Sequence, residues 1–365
     1  VRRPDDPLPR LSVPRFSPDR ASPRRKPPMT TIDPNDQNTG DPSLELADFE
    51  PTADDFARDL LEGLRRPGQK TAPCMYLYDR PGSLLFDQIC ELDEYYPTRT
   101  EIAIYELHAR AIAEAIGPGA MIVEPGSGNG DKGMLLLEKL DDPAAFVPVE
   151  ISREHLLESA HRINEAFPDV EVLPVCADFG GEYHLPEPAR PVSRAVIYFP
   201  GSTIGNFEPD ARADLLRSFA EHARECPTGR GGLLIGFDLV KPESVLIPAY
   251  DDARGVTAAF NMNLLHRANR ELDADFDIDN WKHEARWNPD HQRIEMHLVS
   301  LADQTATIRG EQISFAEGES IHTENSHKFT IERFAELARA AGMELVRAFT
   351  DDEKKFAVGW FETAK

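Results

Sequence analysis

The sequence predicts an α/β protein in which a parallel β-sheet carries helices on both faces and is joined to a second α+β subdomain. Two observations support this prediction. Between residues 120 and 239, five short apolar segments alternate with segments of helical length, which is the pattern of a parallel sheet. After Lys241 the alternation stops, and residues 241–328 mix a helical stretch with alternating strands, which indicates an inserted subdomain.

Two helices are predicted ahead of the sheet. Apolar residues at helical spacing predict the first over Ala53–Leu64, and Pro67-Gly68 and Pro73 break that pattern. The second helix is predicted to begin at a capping box, Thr98-Arg-Thr-Glu101, and to end at Gly117.

The elements of the sheet follow in order. The five apolar segments are predicted to be the strands Ala120–Glu124, Phe146–Val149, Val170–Val175, Ala195–Phe199 and Leu233–Leu239. The segments between them predict the helices Gly133–Leu140, Glu154–Ala166 and Ala211–Arg224. The rest of the chain is predicted to contain a helix at Val256–Arg270, strands at Arg293–Ser300 and Thr305–Arg309, a helix at Ile331–Ala341, and a hairpin of Glu344–Phe349 with Phe356–Phe361.

Length, composition and charge limit the class of protein. The chain has 365 residues, of which 41% are hydrophobic and 8% aromatic, which is enough for one large core or two moderate ones. No apolar run has the length of a membrane-spanning helix. A net charge of −24 repels nucleic acid and anionic membranes, so we expect neither as a partner. The four cysteines show no CxxC spacing, which indicates a reducing, cytoplasmic location.

The N-terminal segment differs from the rest of the chain. Its first 28 residues contain eight prolines and eight lysines or arginines. With little apolar periodicity, residues 1–45 are predicted to form a disordered tail. The first methionine is Met29, which we interpret as the true start of the protein. We assign no function to the tail.

A glycine-rich loop follows the first strand of the sheet. Its sequence is Glu124-Pro-Gly-Ser-Gly-Asn-Gly130, and such glycines let the backbone approach a ligand at the start of a helix. A dinucleotide loop of the G-x-G-x-x-G type needs a glycine where this chain has Asp131. The pattern instead resembles motif I of class I S-adenosylmethionine methyltransferases. For this loop alone, a tight turn without a ligand remains the alternative.

Acidic residues end the next two strands. Glu150 stands where a carboxylate can accept hydrogen bonds from both hydroxyls of a ribose. Asp178 and Phe179 follow the third strand, where a carboxylate and an aromatic ring would meet an adenine. Because the carboxyl ends of parallel strands share one edge, these positions predict a pocket for an adenosyl cofactor.

Nine further segments carry a resemblance to one family. They are Tyr78-Asp-Arg-Pro-Gly-Ser83, Glu94-Tyr-Tyr-Pro-Thr-Arg99, Gly201-Ser-Thr-Ile-Gly-Asn206, Asp238-Leu-Val-Lys241, Ala249-Tyr-Asp-Asp252, Gly255-Val-Thr-Ala-Ala-Phe-Asn261, Asn269-Arg-Glu-Leu272, Ile294-Glu-Met296 and Thr323-Glu-Asn-Ser326. With these segments, residues 50–362 resemble the L-histidine Nα-methyltransferases of ergothioneine biosynthesis.

The resemblance implies the organisation of the chain. In that family a class I methyltransferase core with a Rossmann-like sheet carries a second α+β subdomain, which N-terminal and inserted segments form. We therefore expect a substrate-binding subdomain over residues 46–100 and 241–328, and a methyltransferase core over residues 101–240 and 329–365.

The resemblance also implies the site residues. S-adenosylmethionine would bind near Tyr78, Gly126, Gly128, Lys132, Glu150, Asp178 and Phe179. The family usually has aspartate at the position of Glu150. The substrate L-histidine would bind through its carboxylate and amine to Tyr95, Asn206 and Tyr250, with Gly201 and Thr203 lining the site. Its imidazole would meet Glu324 and Ser326, with Met296 beside them.

The implied reaction is trimethylation of the α-amine of L-histidine to hercynine, the first step towards ergothioneine. The amine must be neutral to attack, and because its pKa is near 8 or somewhat above, deprotonation costs only about 1–3 kcal/mol at neutral pH. Positioning is therefore expected to supply most of the rate enhancement, with Asn206 and Tyr78 as the catalytic residues that orient the amine. Tyr78, Phe86 and Tyr95 are expected to form an aromatic wall for the methylated ammonium group.

Other interpretations stay open at this point. Glu324 alone reads as a surface residue paired with Lys328. His283, His291 and His297 are interpreted as structural or surface residues, so no metal site is expected. The alternatives to a histidine methyltransferase are an N-methyltransferase for another amino acid or small amine, an NAD-dependent oxidoreductase, and a catalytically silent binding protein. We expect a monomer.

Overall fold

The computed structural model describes residues 52–181, 183–226 and 228–364, so the predicted tail lies outside the described residues. In these residues the chain forms nine α-helices: α1 Ala53–Leu64, α2 Arg80–Cys90, α3 Tyr96–Ile116, α4 Asp131–Leu137, α5 Arg153–Ala166, α6 Pro209–Arg224, α7 Glu243–Tyr250, α8 Val256–Glu271 and α9 Ile331–Ala340. None of these helices has both the length and the apolar composition needed to cross a membrane.

The same residues form fourteen strands. They are β1 Lys70–Thr71, β2 Ala120–Pro125, β3 Ala145–Glu150, β4 Glu171–Val172, β5 Val175–Cys176, β6 Arg194–Phe199, β7 Gly231–Asp238, β8 Trp281–Asn288, β9 Arg293–Ser300, β10 Gln304–Ile308, β11 Glu311–Phe315, β12 Ser320–His327, β13 Met343–Thr350 and β14 Phe356–Thr363.

An eight-stranded sheet lies at the centre of the fold. Its strand order is β13-β14-β7-β6-β2-β3-β4, and β5 pairs with β3. The strands from β2 to β7 pair in parallel. The C-terminal hairpin, β13 with β14, extends the sheet in antiparallel fashion against β7. This arrangement confirms the predicted α/β class, the parallel sheet and the closing hairpin.

The order of the strands reverses at β2, which has β3 on one side and β6 on the other. In open α/β sheets a ligand binds beside such a point, outside the carboxyl ends of the strands. The glycine loop follows β2, and Pro200-Gly201 follows β6. The fold therefore brings both segments to the same crevice.

A second, smaller sheet has the order β1-β12-β9-β8. The strands β8, β9 and β12 are antiparallel, and β1 runs parallel to β12. A hydrophobic cluster that draws only on residues 56–96 and 246–321 packs around this sheet. Two other clusters cover the faces of the eight-stranded sheet.

The chain leaves the large sheet after β7 and returns to it just after β12. At this crossing Leu239 pairs in parallel with Phe329. The Val240 N–H donates to the Phe329 carbonyl at 2.9 Å, and the Phe329 N–H donates to the Asp238 carbonyl at 2.9 Å. The two ends of the inserted segment are therefore adjacent.

The start of the long helix α3 corrects one prediction. The helix begins at Tyr96, with Pro97 in its first turn. Proline is tolerated there because the first N–H groups of a helix have no partner within the helix. Thr98 and Glu101 consequently lie inside the helix and form no capping box. The Glu101 carboxylate instead accepts a hydrogen bond from the backbone N–H of Gly201 at 2.9 Å.

The prediction also missed helix α2, whose first turn contains Pro81 and Gly82. The Asp79 side chain caps this helix by accepting from the Gly82 N–H at 2.9 Å. Gly82 is needed because a Cβ there would lie 1.7 Å from the Leu77 carbonyl oxygen. The third predicted strand is also interrupted: Pro174, which has no N–H to donate, separates β4 from β5.

Candidate active site

The glycine loop between β2 and α4 requires glycine for both conformation and space. Gly126, Gly128 and Gly130 all have positive φ angles, of 68°, 51° and 76°. A Cβ on Gly126 would lie 3.2 Å from the Phe179 ring. The loop therefore leaves its backbone open along the crevice, as the sequence predicts.

Glu150 connects this loop to the end of β3. Its Oε2 accepts a hydrogen bond from the Gly128 N–H at 3.2 Å, and its Oε1 accepts one from the Ile151 N–H at 2.9 Å. The carboxylate that the family resemblance assigns to a ribose thus lies directly against the loop.

Asp178 and Phe179 lie at the same edge. Asp178 is exposed and accepts a hydrogen bond from the Gly180 N–H at 2.9 Å. The Phe179 ring packs edge-on against Phe199 and Phe207, with ring centroids 5.9 and 6.4 Å away. Glycine backbone, carboxylates and an aromatic ring suit an adenosyl group, which offers hydroxyl and amine donors and no phosphate charge.

Sequence reasoning missed Glu124, the acidic residue that opens the glycine loop pattern. Its side chain is buried beneath the loop, and burial raises its pKa to about 8, although Lys132 acts in the opposite direction. Glu124 is the first residue of the glycine-loop motif, so the sequence itself contains the signal that could have identified it.

A buried carboxylate holds the segment after β6. Both oxygens of Glu101 accept from the Gly201 N–H at 2.9 Å, and Lys132 Nζ lies 3.4 Å from one of them. Gly201 has a φ of +83°, and a Cβ there would lie 2.5 Å from Lys132 Nζ. Sequence reasoning placed Lys132 and Gly201 in the site but missed Glu101, because it assigned that residue to a helix cap.

Glu324 lies where the core and the inserted segment meet. Its Oε1 accepts hydrogen bonds from the Tyr78 hydroxyl at 3.0 Å and from the Asn206 amide at 3.2 Å. Asn206 ends a short 3-10 helix that Thr203 begins, and the Thr203 hydroxyl donates to the Pro200 carbonyl at 3.2 Å. Three residues predicted for the site, from distant parts of the chain, thus meet at one oxygen atom.

Burial changes the acidity of Glu324. The residue is 7% exposed, and burial raises the pKa of its carboxyl to about 7, while the Tyr78 hydrogen bond and the Lys328 charge act to lower it. Although Tyr78 as a whole is 37% exposed, desolvation of its hydroxyl and the neighbouring Glu324 charge raise the pKa of this hydroxyl well above its usual value, so it remains a proton donor to the carboxylate. Met296 lies opposite Glu324 on the neighbouring strand β9 and is buried.

Aromatic rings form a continuous series beside Glu324. Tyr78 contacts Phe86 and Phe260, with ring centroids 5.6 and 5.1 Å away. Phe86 contacts Tyr95 at 6.2 Å, and Tyr95 contacts Tyr250 at 6.0 Å. The three rings of the predicted wall are therefore neighbours, and the structure adds Phe260, which sequence reasoning did not single out.

Ser326 lies two residues beyond Glu324 in β12, and it contacts Tyr250 at the end of the aromatic series. Their hydroxyl oxygens are 2.8 Å apart. Lys328 Nζ lies 2.7 Å from both of them, and it pairs with Asp238 at 2.7 Å. The interpretation of Glu324 and Lys328 as a surface ion pair is wrong, because both side chains are buried and the carboxylate that binds Lys328 is that of Asp238.

Within the described residues, one group of side chains has the composition of a metal site: Glu295, His297 and His322. The two imidazole rings stack with an angle of 17° between their planes. Their nitrogen lone pairs therefore lie in nearly parallel planes and do not converge on one point. Arg293 also holds Glu295, with Nε 2.7 Å from the carboxylate. We assign no metal to this group.

Known proteins resemble this sequence over most of its length. A family model described as histidine-specific, S-adenosylmethionine-dependent methyltransferase matches residues 56–363. The chain is 40% identical to the histidine N-alpha-methyltransferase of Mycolicibacterium smegmatis, covering 87% of this chain and 98% of that protein. It is also 40% identical to the enzyme of that name from Mycobacterium tuberculosis, covering 82% and 92%. Ergothioneine biosynthesis protein 1 of Neurospora crassa is 30% identical over 78% of this chain and 32% of its own length.

Proposed function

Because the chain belongs to the family of histidine-specific, S-adenosylmethionine-dependent methyltransferases, we propose that it trimethylates the α-amine of L-histidine to hercynine, the first step towards ergothioneine. The enzyme class and the cofactor follow from the family. The observation that carries the finer proposal is the buried carboxylate of Glu324, where Tyr78 and Asn206 meet.

The cofactor supplies the methyl group, which is bound to a sulfonium and is transferred by in-line displacement. The residues proposed to hold it are those of the glycine loop, Gly126 and Gly128, with Glu150, Asp178 and Phe179 at the neighbouring strand ends. Lys132, fixed beside Gly201 by Glu101, completes the wall of the crevice.

The substrate is proposed to lie between the aromatic rings and β12. Glu324 and Ser326 are two residues apart on a strand, so both side chains point to the same face. A carboxylate and a hydroxyl suit the two nitrogens of an imidazole. A substrate without those nitrogens would leave buried polar groups unpaired, which is how a polar site rejects other amino acids.

Positioning, more than acid–base catalysis, is proposed to drive the transfer. Tyr78 and Asn206 are proposed as the catalytic residues because their side chains meet beside Glu324, and their oxygen atoms can accept from the amine N–H groups and leave its lone pair free for attack. Tyr95 is proposed to donate to the carboxylate, with the Tyr250 ring beside it. Cation–π contacts are worth about 0.5–2 kcal/mol each, so the rings of Tyr78, Phe86 and Tyr95 favour the methylated ammonium product.

Substrate and cofactor are proposed to bind to different parts of the chain. We propose that residues 46–100 and 241–328 bind the substrate while the remainder binds the cofactor, because the hydrophobic cluster around the small sheet draws only on residues 56–96 and 246–321. We further propose a cytoplasmic monomer without nucleic-acid or membrane partners. Light scattering of the purified protein tests the oligomeric state.

Mass spectrometry tests the reaction. Purified protein is incubated with S-adenosylmethionine and an equimolar mixture of the standard amino acids. Mono-, di- and trimethylated histidine, with no other methylated amino acid, is the expected result. Methylation of another amino acid instead would contradict the substrate, and the absence of any methylated product despite bound cofactor would contradict the activity.

The Tyr78 hydroxyl is expected to affect the rate. Tyr78→Phe removes a hydrogen bond to a charged group, which corresponds to about a 10- to 100-fold lower kcat. Tyr76→Phe is the matched control, because the Tyr76 hydroxyl donates to Asp59, at 2.7 Å, away from Glu324. Single-turnover methylation at saturating substrate measures the effect. An unchanged rate in Tyr78→Phe at every pH would show that Tyr78 has no catalytic role.

The raised pKa of Glu324 predicts a pH dependence. With a pKa of about 7, the free enzyme loses the ionised carboxylate as the pH falls through 7. Protonation of the substrate amine weakens the reaction over the same range, so log(kcat/KM) should fall steeply with decreasing pH. In Glu324→Gln the slope below pH 7 should decrease by about one unit, because one titrating group is gone. An unchanged slope would show that Glu324 does not titrate in this range.

A further inference from the structure

Lys328 is a buried, fully hydrogen-bonded charged group next to the candidate site. Its side chain is 0% exposed. An ammonium group has three N–H donors, and Lys328 Nζ lies 2.7 Å from each of three acceptors: Asp238 Oδ2, Tyr250 Oη and Ser326 Oγ. All of its hydrogen-bonding capacity is therefore committed, and two of its three acceptors are residues that we propose bind the substrate.

These contacts determine what the two hydroxyls can do. Each hydroxyl has one proton and two lone pairs, and each accepts one hydrogen bond from Lys328. The bond of 2.8 Å between Ser326 and Tyr250 uses one of the two hydroxyl protons. Whichever hydroxyl accepts this bond has both lone pairs filled and its own proton left over. The pair can therefore offer a proton to a ligand.

We propose that Lys328 is a positioning residue for the substrate ring. Its hydrogen bonds fill lone pairs that could otherwise accept from the imidazole, so Ser326, which then accepts from both Lys328 and Tyr250, faces the ring only as a donor. This inference rests on the proposed function. Glu324 supplies the opposite polarity, a carboxylate acceptor, on the same face of β12. One donor and one acceptor match a neutral imidazole, which has one N–H and one free lone pair.

Asp238 anchors this arrangement to the core. It ends strand β7 of the large sheet, and besides Lys328 it accepts from the Tyr96 hydroxyl at 2.6 Å and from Lys241 at 2.5 Å. Burial acts to raise the pKa of Asp238, but the two lysines outweigh it and hold the pKa below its usual value. Lys328 thus connects the cofactor-binding core to the residue that we assign to the substrate ring.

Lys241 provides a matched control for Lys328. It binds the same carboxylate and is nearly as buried, but its other partners are the Tyr96 hydroxyl and the Leu239 carbonyl. Lys328→Met leaves Asp238 paired with Lys241, and Lys241→Met leaves it paired with Lys328. Neither change therefore leaves the carboxylate without a cation, and the two variants differ in whether Ser326 loses its donor.

Kinetics for histidine test the proposal. Lys328→Met should raise KM for L-histidine about tenfold or more while kcat changes less than threefold, the effect of losing a binding contact. Lys241→Met should change KM less than twofold. A double-mutant cycle with Ser326→Ala should show that the two effects are not additive, because Lys328 acts through Ser326. The affinity for S-adenosylhomocysteine, measured by calorimetry, should be the same in all variants.

Other results would contradict either the role of Lys328 or the proposed function. If Lys328→Met and Ser326→Ala multiply in their effects, or if Lys328→Met lowers thermal stability without changing KM, Lys328 has only a structural role and the proposal fails. If Lys328→Met does not fold, the same cycle is run with Lys328→Gln, which has two N–H donors instead of three and no charge, so a smaller rise in KM is expected and an unchanged KM contradicts the proposal. If the unaltered protein binds S-adenosylhomocysteine but does not methylate histidine, the proposed function itself is wrong.

Discussion

Replacing Glu324 with glutamine is expected to stabilise the folded protein and, in the same variant, to lower kcat/KM for L-histidine about 100-fold. The loss of activity follows because a hydrogen bond to a charged group is worth about 1.5–3 kcal/mol, and tenfold corresponds to 1.4 kcal/mol. Glutamine keeps an oxygen that can accept from Tyr78 and Asn206, so the local structure should be retained.

The gain in stability follows from the pKa of Glu324, which burial raises from 4.5 to about 7. A carboxyl whose pKa is raised by folding destabilises the protein progressively as the pH rises from its ordinary value through the raised one. Above pH 7 this cost is about 3 kcal/mol, since one unit corresponds to 1.36 kcal/mol. Glutamine carries no such cost, so the free energy of unfolding of Glu324→Gln should exceed that of the unaltered protein at pH 8.

Denaturant unfolding at two pH values measures this effect. The gain should be large at about pH 8 and small at about pH 5, where Glu324 of the unaltered protein is protonated. Glu317→Gln is the control, because Glu317 is exposed and should change neither stability nor activity. Equal stability of Glu324→Gln and the unaltered protein at pH 8 would contradict the account of this carboxylate.

Removing Glu101 is expected to destabilise both the protein and its cofactor site. Glu101→Ala leaves the Gly201 N–H and the Lys132 ammonium without their acceptor, and an unsatisfied buried donor together with a lost charge partner costs about 2–4 kcal/mol. We also expect weaker binding of S-adenosylhomocysteine, because Gly201 and Lys132 border the crevice. Urea unfolding and calorimetry measure the two effects.

Two variants on the same helix serve as comparisons. Glu101→Gln keeps an oxygen for the Gly201 N–H and loses only the attraction to Lys132, so its effect should be smaller. Glu114→Ala removes an exposed carboxylate that pairs with Arg110, and it should be near neutral. If Glu101→Ala is no more destabilising than Glu114→Ala, the buried carboxylate does not support the Gly201 segment.

The large sheet was predictable because its strands are buried on both faces and read as continuous apolar runs. All six residues of β2 and all eight of β7 are buried. The small sheet was only partly predicted: of its four strands β9 was predicted, but β1, β8 and β12 were missed. The predicted strand β10 pairs with β11 in a separate two-stranded sheet. In β12 the buried residues include Thr323, Glu324 and Asn325, so no apolar pattern marks the strand.

The partners of the site residues were less predictable than the residues themselves. Glu324 and Lys328 are four residues apart, and a local interpretation pairs them. On an extended strand, however, such residues are about 13 Å apart along the chain direction. The carboxylate that binds Lys328 belongs to Asp238, which precedes the inserted segment and is 90 residues away in the sequence. Only the tertiary structure brings these two positions together, so local sequence cannot reveal the pair.

The adjacent crossing points of the inserted segment, Leu239 and Phe329, also bear on how this architecture can change. Because the two points are hydrogen-bonded neighbours, the insertion begins and ends at one place on the core, as a closed loop does. The length and internal fold of that loop are then free to vary at little entropic cost to the core, since closure depends only weakly on loop length. An insertion of different shape, packed against the same N-terminal segment, would present another amine to the same cofactor crevice.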